Sequence, residues 1–132
     1  MTKSLLIGKL IAHCIKENEY LFGELGNKVY PLVGNNKTTF PFVVYWKENI
    51  IPDYTKDWLI EDKVSFSIIV TDTSYEKTID LTQAIREVLE KPAINTEWLS
   101  IRQCRLVGVN EDFVENAYVE QLTFECKVQN SK

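Results

Sequence analysis

Apolar and polar positions alternate most clearly between Lys63 and Leu89, and the rest of the chain is organised around that stretch. In Val64, Phe66, Ile68 and Val70 every second residue is apolar, and Ser65, Ser67 and Thr71 fall between them. A period of two with β-branched residues predicts a half-buried strand. Ile69 breaks the alternation, so the second face is predicted to be partly covered as well. Thr73-Ser74-Tyr75-Glu76 then has the form of a capping box, with a hydroxyl to accept from the third helical N–H and a Glu to reach back. Leu81, Ile85, Val88 and Leu89 follow at i, i+4, i+7 and i+8, the stripe of an amphipathic helix. Pro92 stops that helix near Lys91.

The same reading extends along the chain. Leu6, Ile7, Leu10, Ile11, Cys14 and Ile15 predict a first helix over residues 4–17, with Thr2 or Ser4 as its cap. Tyr20, Leu21 and Phe22 add one further turn, closed by Gly23 and Gly26. Residues 28–32 are a short extended piece, which Pro31 bars from a central strand position. Gly34 to Lys37 carry the chemistry of a loop tip. Residues 40–46 form the next strand, with Phe40, Phe42, Val44 and Trp46 on one face and Val43 and Tyr45 on the other. Lys47 to Asp62 show no regular period and read as a long, apolar connection, of the kind that is functional or mobile. Lys91 to Glu97 are a second connection. Residues 98–109 form a long strand, with Ile101 and Val107 on one face and Cys104 and Leu106 on the other. Asn110-Glu111-Asp112 is a polar turn, and residues 117–128 are a closing strand with one wet face.

Helices and strands do not strictly alternate, which favours an α+β fold over a doubly wound one. The expected architecture is a mainly antiparallel sheet of about four long strands with two helices packed on one face. The 132 residues suit one domain, 1–132, with 1–3 and 129–132 frayed. A chain of that length buries roughly 65–70% of its unfolded surface, enough for a core without staples.

Composition narrows the function. Apolar residues make up 45% and charged residues 26%, which argues against disorder. The net charge of −4 and the lack of a Lys/Arg block argue against sequence-specific nucleic-acid binding and against an anionic membrane surface. No apolar run approaches the roughly 20 residues of a membrane span. Lys9 interrupts the N-terminal apolar run too early for a signal-peptide core, so a cytoplasmic fate, or a particle assembled there, is expected. Cys14, Cys104 and Cys126 are too widely spaced for a disulfide framework or a CxxC site and read as small core residues.

No stretch carries a catalytic motif. His13 and Cys14 are adjacent, but zinc needs three or four converging ligands and the chain has one histidine, so structural roles are expected. Asp53, Asp57, Glu61 and Asp62 read as solvated loop charges rather than a tuned acid–base group, as do Glu111, Asp112 and Glu115. Gly23 and Gly26 follow a helix and no GK[ST] follows them, so they are not a phosphate loop. Ser65 and Ser67 have no base placed beside them by sequence. Catalytic residues, cofactor and metal ligands are therefore all expected to be absent. The aromatic residues Phe40, Phe42, Tyr45, Trp46, Tyr54 and Trp58 lie within twenty positions. Phe42 is expected in the core. For Tyr54 and Trp58, core packing and a subunit contact both remain open, because Trp and Tyr are enriched at interface cores.

Val29-Tyr30-Pro31-Leu32, a short loop, and Phe40-Pro41-Phe42-Val43-Val44-Tyr45 resemble the signature of a family of small phage and prophage tail proteins. These are the tail completion, tail terminator or head–tail joining proteins. The later order is similar too: a strand like Val64–Val70, a helix like Tyr75–Leu89, Cys104-Arg105-Leu106 and the final Gln121-Leu122-Thr123-Phe124 strand. The resemblance covers about Leu5 to Val128. It implies a structural role without reaction or cofactor: a ring, commonly of six copies, at the head-proximal end of a tail. Such a ring ends tube growth and joins tail to head. Its partners would be other copies of itself, the tail tube protein and head connector proteins. Its places would be the bacterial host cytoplasm during assembly and then the virion tail. The Lys47–Asp62 stretch departs from the family pattern by its length and aromatic content. Tyr54, Trp58 and Ile60 in it are the expected intersubunit contacts, supported by strand 40–46. Two other classes stay open. One is a monomeric or dimeric small-molecule-binding module using the aromatic cluster, and the other is an enzyme whose polar groups converge from distant segments.

Overall fold

The period-two stretch is the centre of the sheet. The structure, a computed structural model, describes residues 2–32, 38–54 and 58–129, with Leu59 described by its backbone. A single 3-10 turn, Ser4–Leu6, leads into α1 (Ile7–Glu17) and α2 (Glu19–Leu25). Then come β1 (Val29–Pro31), β2 (Phe42–Tyr54), β3 (Leu59–Asp72), α3 (Tyr75–Leu89), β4 (Lys91–Asn95), β5 (Ser100–Val114) and β6 (Ala117–Gln129). The strands form one sheet in the order β1-β2-β3-β6-β5-β4. β1 runs parallel to β2, and the other neighbours are antiparallel.

The fold is α+β as expected, but the described residues hold six strands in a mixed sheet, and three helices rather than two. The added strands are the short edges, β1 and β4. β4 occupies part of the stretch expected as a connection; Pro92 is accommodated there because at a sheet edge its missing N–H costs nothing.

The core lies between the helices and one face of the sheet. Val64, Phe66, Ile68 and Val70 of β3 stand beside Cys126, Phe124, Leu122 and Glu120 of β6. Phe66 and Phe124 are both fully buried and stack at 5.3 Å between ring centroids. Ile7, Leu10, Ile11 and Ile15 of α1 and Leu81, Ile85 and Leu89 of α3 close over them. Cys104 and Cys126 are buried in this core and Cys14 packs at its margin, all three as thiols. Its hydrogen bond with Cys126, and then burial, push the Cys104 thiol far above its ordinary range. The second face of β3 is partly covered, as Ile69 suggests. Ser67 is buried there between Glu48 Oε1 (2.9 Å) and Thr123 Oγ1 (3.1 Å), and Trp46 Nε1 also donates to Glu48.

Several local expectations are corrected. Lys47–Tyr54 and Leu59–Asp62 are not an irregular connection but the outer halves of β2 and β3, paired from Lys47↔Phe66 to Tyr54↔Leu59. Most described side chains there are exposed, with only Ile50 packed against the core and Asp62 buried, and a bulge lies between Lys47 and Asn49, so no clear period of two survives in the sequence. Asn110-Glu111-Asp112 is strand rather than turn: β5 continues to Val114 and turns at Glu115-Asn116, both with positive φ, the form a two-residue hairpin prefers. β5 carries an extra residue against β6 between Arg102 and Arg105, where Gln103 has φ +51°. The bulge reverses the parity, so Ile101 and Cys104 are buried together in the core instead of facing opposite ways. Trp98 precedes β5, in a turn where the Thr96 hydroxyl accepts from Leu99 N–H (2.8 Å).

Capping also moves. Ser74, not Thr73, accepts from the N–H of Lys77 (3.3 Å), so the capping box is replaced by a simple serine cap. Thr2 and Ser4 do not cap α1; both hydroxyls donate to Asp62. Gly23 lies inside α2, and Gly26 alone ends it, with φ +57° and ψ −123°. The Gly34–Lys37 loop tip lies outside the described residues.

Candidate interaction surface

Among the described residues, two parts of the sheet leave a strand without an outer neighbour. β1 borders β2 only at Val43–Tyr45, so β2 is an edge from Lys47 to Tyr54. β4 borders β5 only at Ser100–Cys104, so β5 is an edge from Arg105 to Val114. The two open stretches lie on opposite sides of the sheet and at opposite ends of it, because β2 reaches its tip where β5 begins.

The expected contact residues gather at the tip of the β2–β3 hairpin. Tyr54 (59% exposed) and Trp58 (69%) meet edge to face at 6.1 Å, and Ile60 is 44% exposed beside them. None of the three belongs to the core cluster. The six aromatic residues do not form one site. Phe40 stacks on Phe42 at 5.7 Å, Tyr45 is buried in the core, Trp46 is half-buried beside Glu48, and only Tyr54 and Trp58 are at the tip. A groove of about 490 Å³ lies elsewhere, lined by Trp98, Ile101, Arg102 and Lys127 among others.

The second open edge also carries apolar side chains that face water: Val107, Val109, Phe113 and Val114. Phe113 and Tyr75 both rest on Tyr118, at 4.8 Å and 5.2 Å. Beside them Glu111 and Glu120 stand directly opposite on β5 and β6. Glu120 is 4% exposed, and its Oε2 finds no hydrogen-bond partner among the described residues. Burial first, and then its hydrogen bond to Glu111, push the Glu120 carboxyl up to about 7. Glu111, which accepts from the Tyr75 hydroxyl and from Glu120, is held below the ordinary carboxylate range.

The other residues singled out by the sequence are held structurally. His13 meets the edge of Trp98 at 6.0 Å, and Lys9 lies over the same ring. Among the described residues no group of three or more His, Cys, Asp or Glu is placed to hold a metal ion. Asp62 is not solvated: it is buried and takes the Thr2 and Ser4 hydroxyls. Glu61 takes Arg102 at 2.6 Å and Lys127 at 3.9 Å. Asp53 is exposed, and Asp57 lies outside the described residues. No helix among the described residues is long and apolar enough to cross a membrane.

The fold recurs in a virion. A chain from the virion of a native gene transfer agent particle superposes with a TM-score of 0.77 at 14% identity, over 91% of this chain and 92% of that one. A second solved chain matches over 98% of this chain and 94% of its own, at 8% identity and a TM-score of 0.65. At these identities the likeness is one of fold. No protein-family model matches the chain, and no curated protein matches it in sequence.

Sequence reasoning missed the β5 edge and the Glu111–Glu120 pair. Both were hidden by reading Asn110-Glu111-Asp112 as a turn. The available signal was Val107, Val109 and Phe113, apolar at every second or fourth position through the polar stretch.

Proposed function

We propose that this protein is a structural subunit of a phage or phage-like particle, a tail terminator or head–tail joining protein. In this reading residues 1–132 act as one domain that self-associates into a ring, a hexamer, at the head-proximal end of a tail. It stops tube growth and docks the tail tube protein on one side and head connector proteins on the other. The observation that carries the proposal is the fold shared over nine-tenths of both chains with a gene transfer agent virion component. The Val29–Leu32 and Phe40–Tyr45 elements that resemble the tail-protein signature sit side by side, as β1 and the start of β2. The exposed Tyr54–Trp58 pair supplies what an interface core uses. A net charge of −4 suits a ring through which DNA passes without binding. The activity is assembly and needs no cofactor. Its setting is the cytoplasm of a bacterial host and then the virion tail.

Light scattering over a wide concentration range, with negative-stain imaging of the peak, tests the proposal. An open-lumened ring is expected, either free or on added tail tubes. Trp58→Asp is expected to keep the fold and weaken the ring. A compact dimer holding a small molecule, or a monomer that ignores tail tubes, would overturn it.

A further inference from the structure

The two open edges are complementary to each other. Within one subunit β2 is antiparallel to β3, β3 to β6 and β6 to β5, so β2 and β5 run in opposite directions. A second copy in the same orientation, set against β5, therefore presents its β2 antiparallel. This is the geometry of strand addition at a sheet edge. The charges match that direction. The open part of β2 has Lys47 at its inner end, with Glu48 beside it held by Trp46 Nε1 and the Ser67 hydroxyl, and Asp53 at its tip; the open part of β5 has Arg105 at its inner end and Glu111 and Asp112 towards its tip. Laid antiparallel, lysine meets the acidic end and Asp53 meets Arg105, whereas a parallel approach would place like charges together.

The spacing matches as well. Lys47 and Asp53 are six positions apart, as are Arg105 and Glu111. Each interval crosses one bulge, between Lys47 and Asn49 in β2 and between Leu106 and Gly108 in β5. Setting Lys47 opposite Glu111 thus sets Ile51 opposite Gly108, Pro52 opposite Leu106 and Asp53 opposite Arg105, with sheet faces preserved. Pro52 has no N–H to give to that rung, and the N–H of Leu106 is already taken by Glu90 Oε2 (2.8 Å). Lys47 stands level with Leu106 in its own sheet, through Phe66 and Phe124. The register therefore displaces the neighbour by about four residues, roughly 13 Å along the strands. In this register Tyr45 and Val44, which already carry Pro31 and Tyr30 of β1, fall on the rungs of Phe113 and Val114, so the shared ladder is confined to Lys47–Asp53 and Arg105–Glu111, and the end of the next copy's β5–β6 hairpin passes beside β1 rather than in line with it. A constant stagger is what a closed ring of tilted strands requires.

Building on the assembly proposed above, we infer that successive copies join by adding the Lys47–Asp53 edge of one to the Arg105–Glu111 edge of the next. The sheet then continues from subunit to subunit. The contact uses two different patches per copy, as a cyclic ring demands.

Heterotypic disulfide trapping tests this. Ile51 is half exposed, and a side chain added at Gly108 meets nothing within 4 Å. Directly opposite strand residues are close enough for a disulfide. Ile51→Cys and Gly108→Cys proteins, each checked for native circular dichroism, are oxidised alone and mixed. A covalent dimer is expected in the mixture and not in either alone, and the double variant is expected to give a ladder ending at the ring. As a second measurement, Asp53→Arg is expected to weaken assembly about two- to fivefold at low salt, and Asp53→Arg with Arg105→Asp to restore it. Rings that form without the mixed disulfide and ignore the charge swap overturn this inference and leave the tail-protein reading standing. No assembly by any variant or by the unmodified chain, even on tail tubes, overturns both.

Discussion

Replacing Glu120 with Gln is expected to remove a pH dependence that the rest of the protein does not share. Glu120 is buried opposite Glu111, with one carboxyl oxygen unpaired among the described residues. Its folded carboxyl sits at about 7, against an ordinary value of 4.5. Between those two values the folded protein keeps a proton that the unfolded chain has lost. Stability therefore falls as pH rises, by about 1.4 kcal/mol per pH unit. Over the whole window this amounts to roughly 3 kcal/mol, less what relaxation of the Glu111–Glu120 pair recovers. Above pH 7 the loss is complete. Glu111 acts with the opposite sign and in a lower window: its folded value is depressed, so its contribution is present above the ordinary value and lost on acidification below it. Gln keeps the N–H that donates to Glu111 and cannot ionise. Urea unfolding of both proteins at pH 5 and pH 8 isolates the effect, because the difference between them cancels the other titrating groups. The variant is expected to gain about 2–3 kcal/mol relative to the parent between those pH values, about 1–2 M in urea midpoint. A difference that stays constant with pH, or that shrinks as pH rises, would refute the reasoning.

Two further substitutions probe the fold. Phe124→Ala empties the centre of the Phe66–Phe124 stack and is expected to cost about 3–5 kcal/mol, read as a lower urea midpoint. A loss under 1 kcal/mol would mean that the β3–β6 centre can collapse around the gap. Gly26→Ala is expected to cost about 1–3 kcal/mol of thermal or urea stability. Nothing lies within 4 Å of the new Cβ, so that cost comes wholly from holding φ at +57°. An unchanged midpoint would show that the end of α2 can relax.

The central elements were legible because their signal is local and periodic. Val64–Val70 and Leu81–Leu89 bury one side and leave the other polar or less buried, and burying one face writes a period into the sequence. The outer half of β2, apart from Ile50, and the Asn110–Val114 part of β5 are exposed on both faces, so their residues mark them as strand only weakly. Pairing across to β3 and β6, sixteen residues away at Asn49↔Ser65 and nine at Glu111↔Glu120, is what orders them.

 The bulge at Gln103 acts in the same way: it reverses the inside and outside of β5 without changing the residue types, so Ile101 and Cys104 read as opposite faces until their partners on β6 are known.

By itself the sequence determined the α+β class, the central strand and its helix, and the cysteines as core residues. Those follow from local periodicity and composition, which act on residues near one another in the chain. Only the tertiary structure decided that Lys47–Asp62 is a hairpin, that Asp62 is buried, that Glu111 faces Glu120, and that two strands are left open on opposite sides of the sheet. Each of these depends on which strand lies beside which, and a hydrogen-bonded neighbour distant in the chain leaves no mark on the residues that receive it.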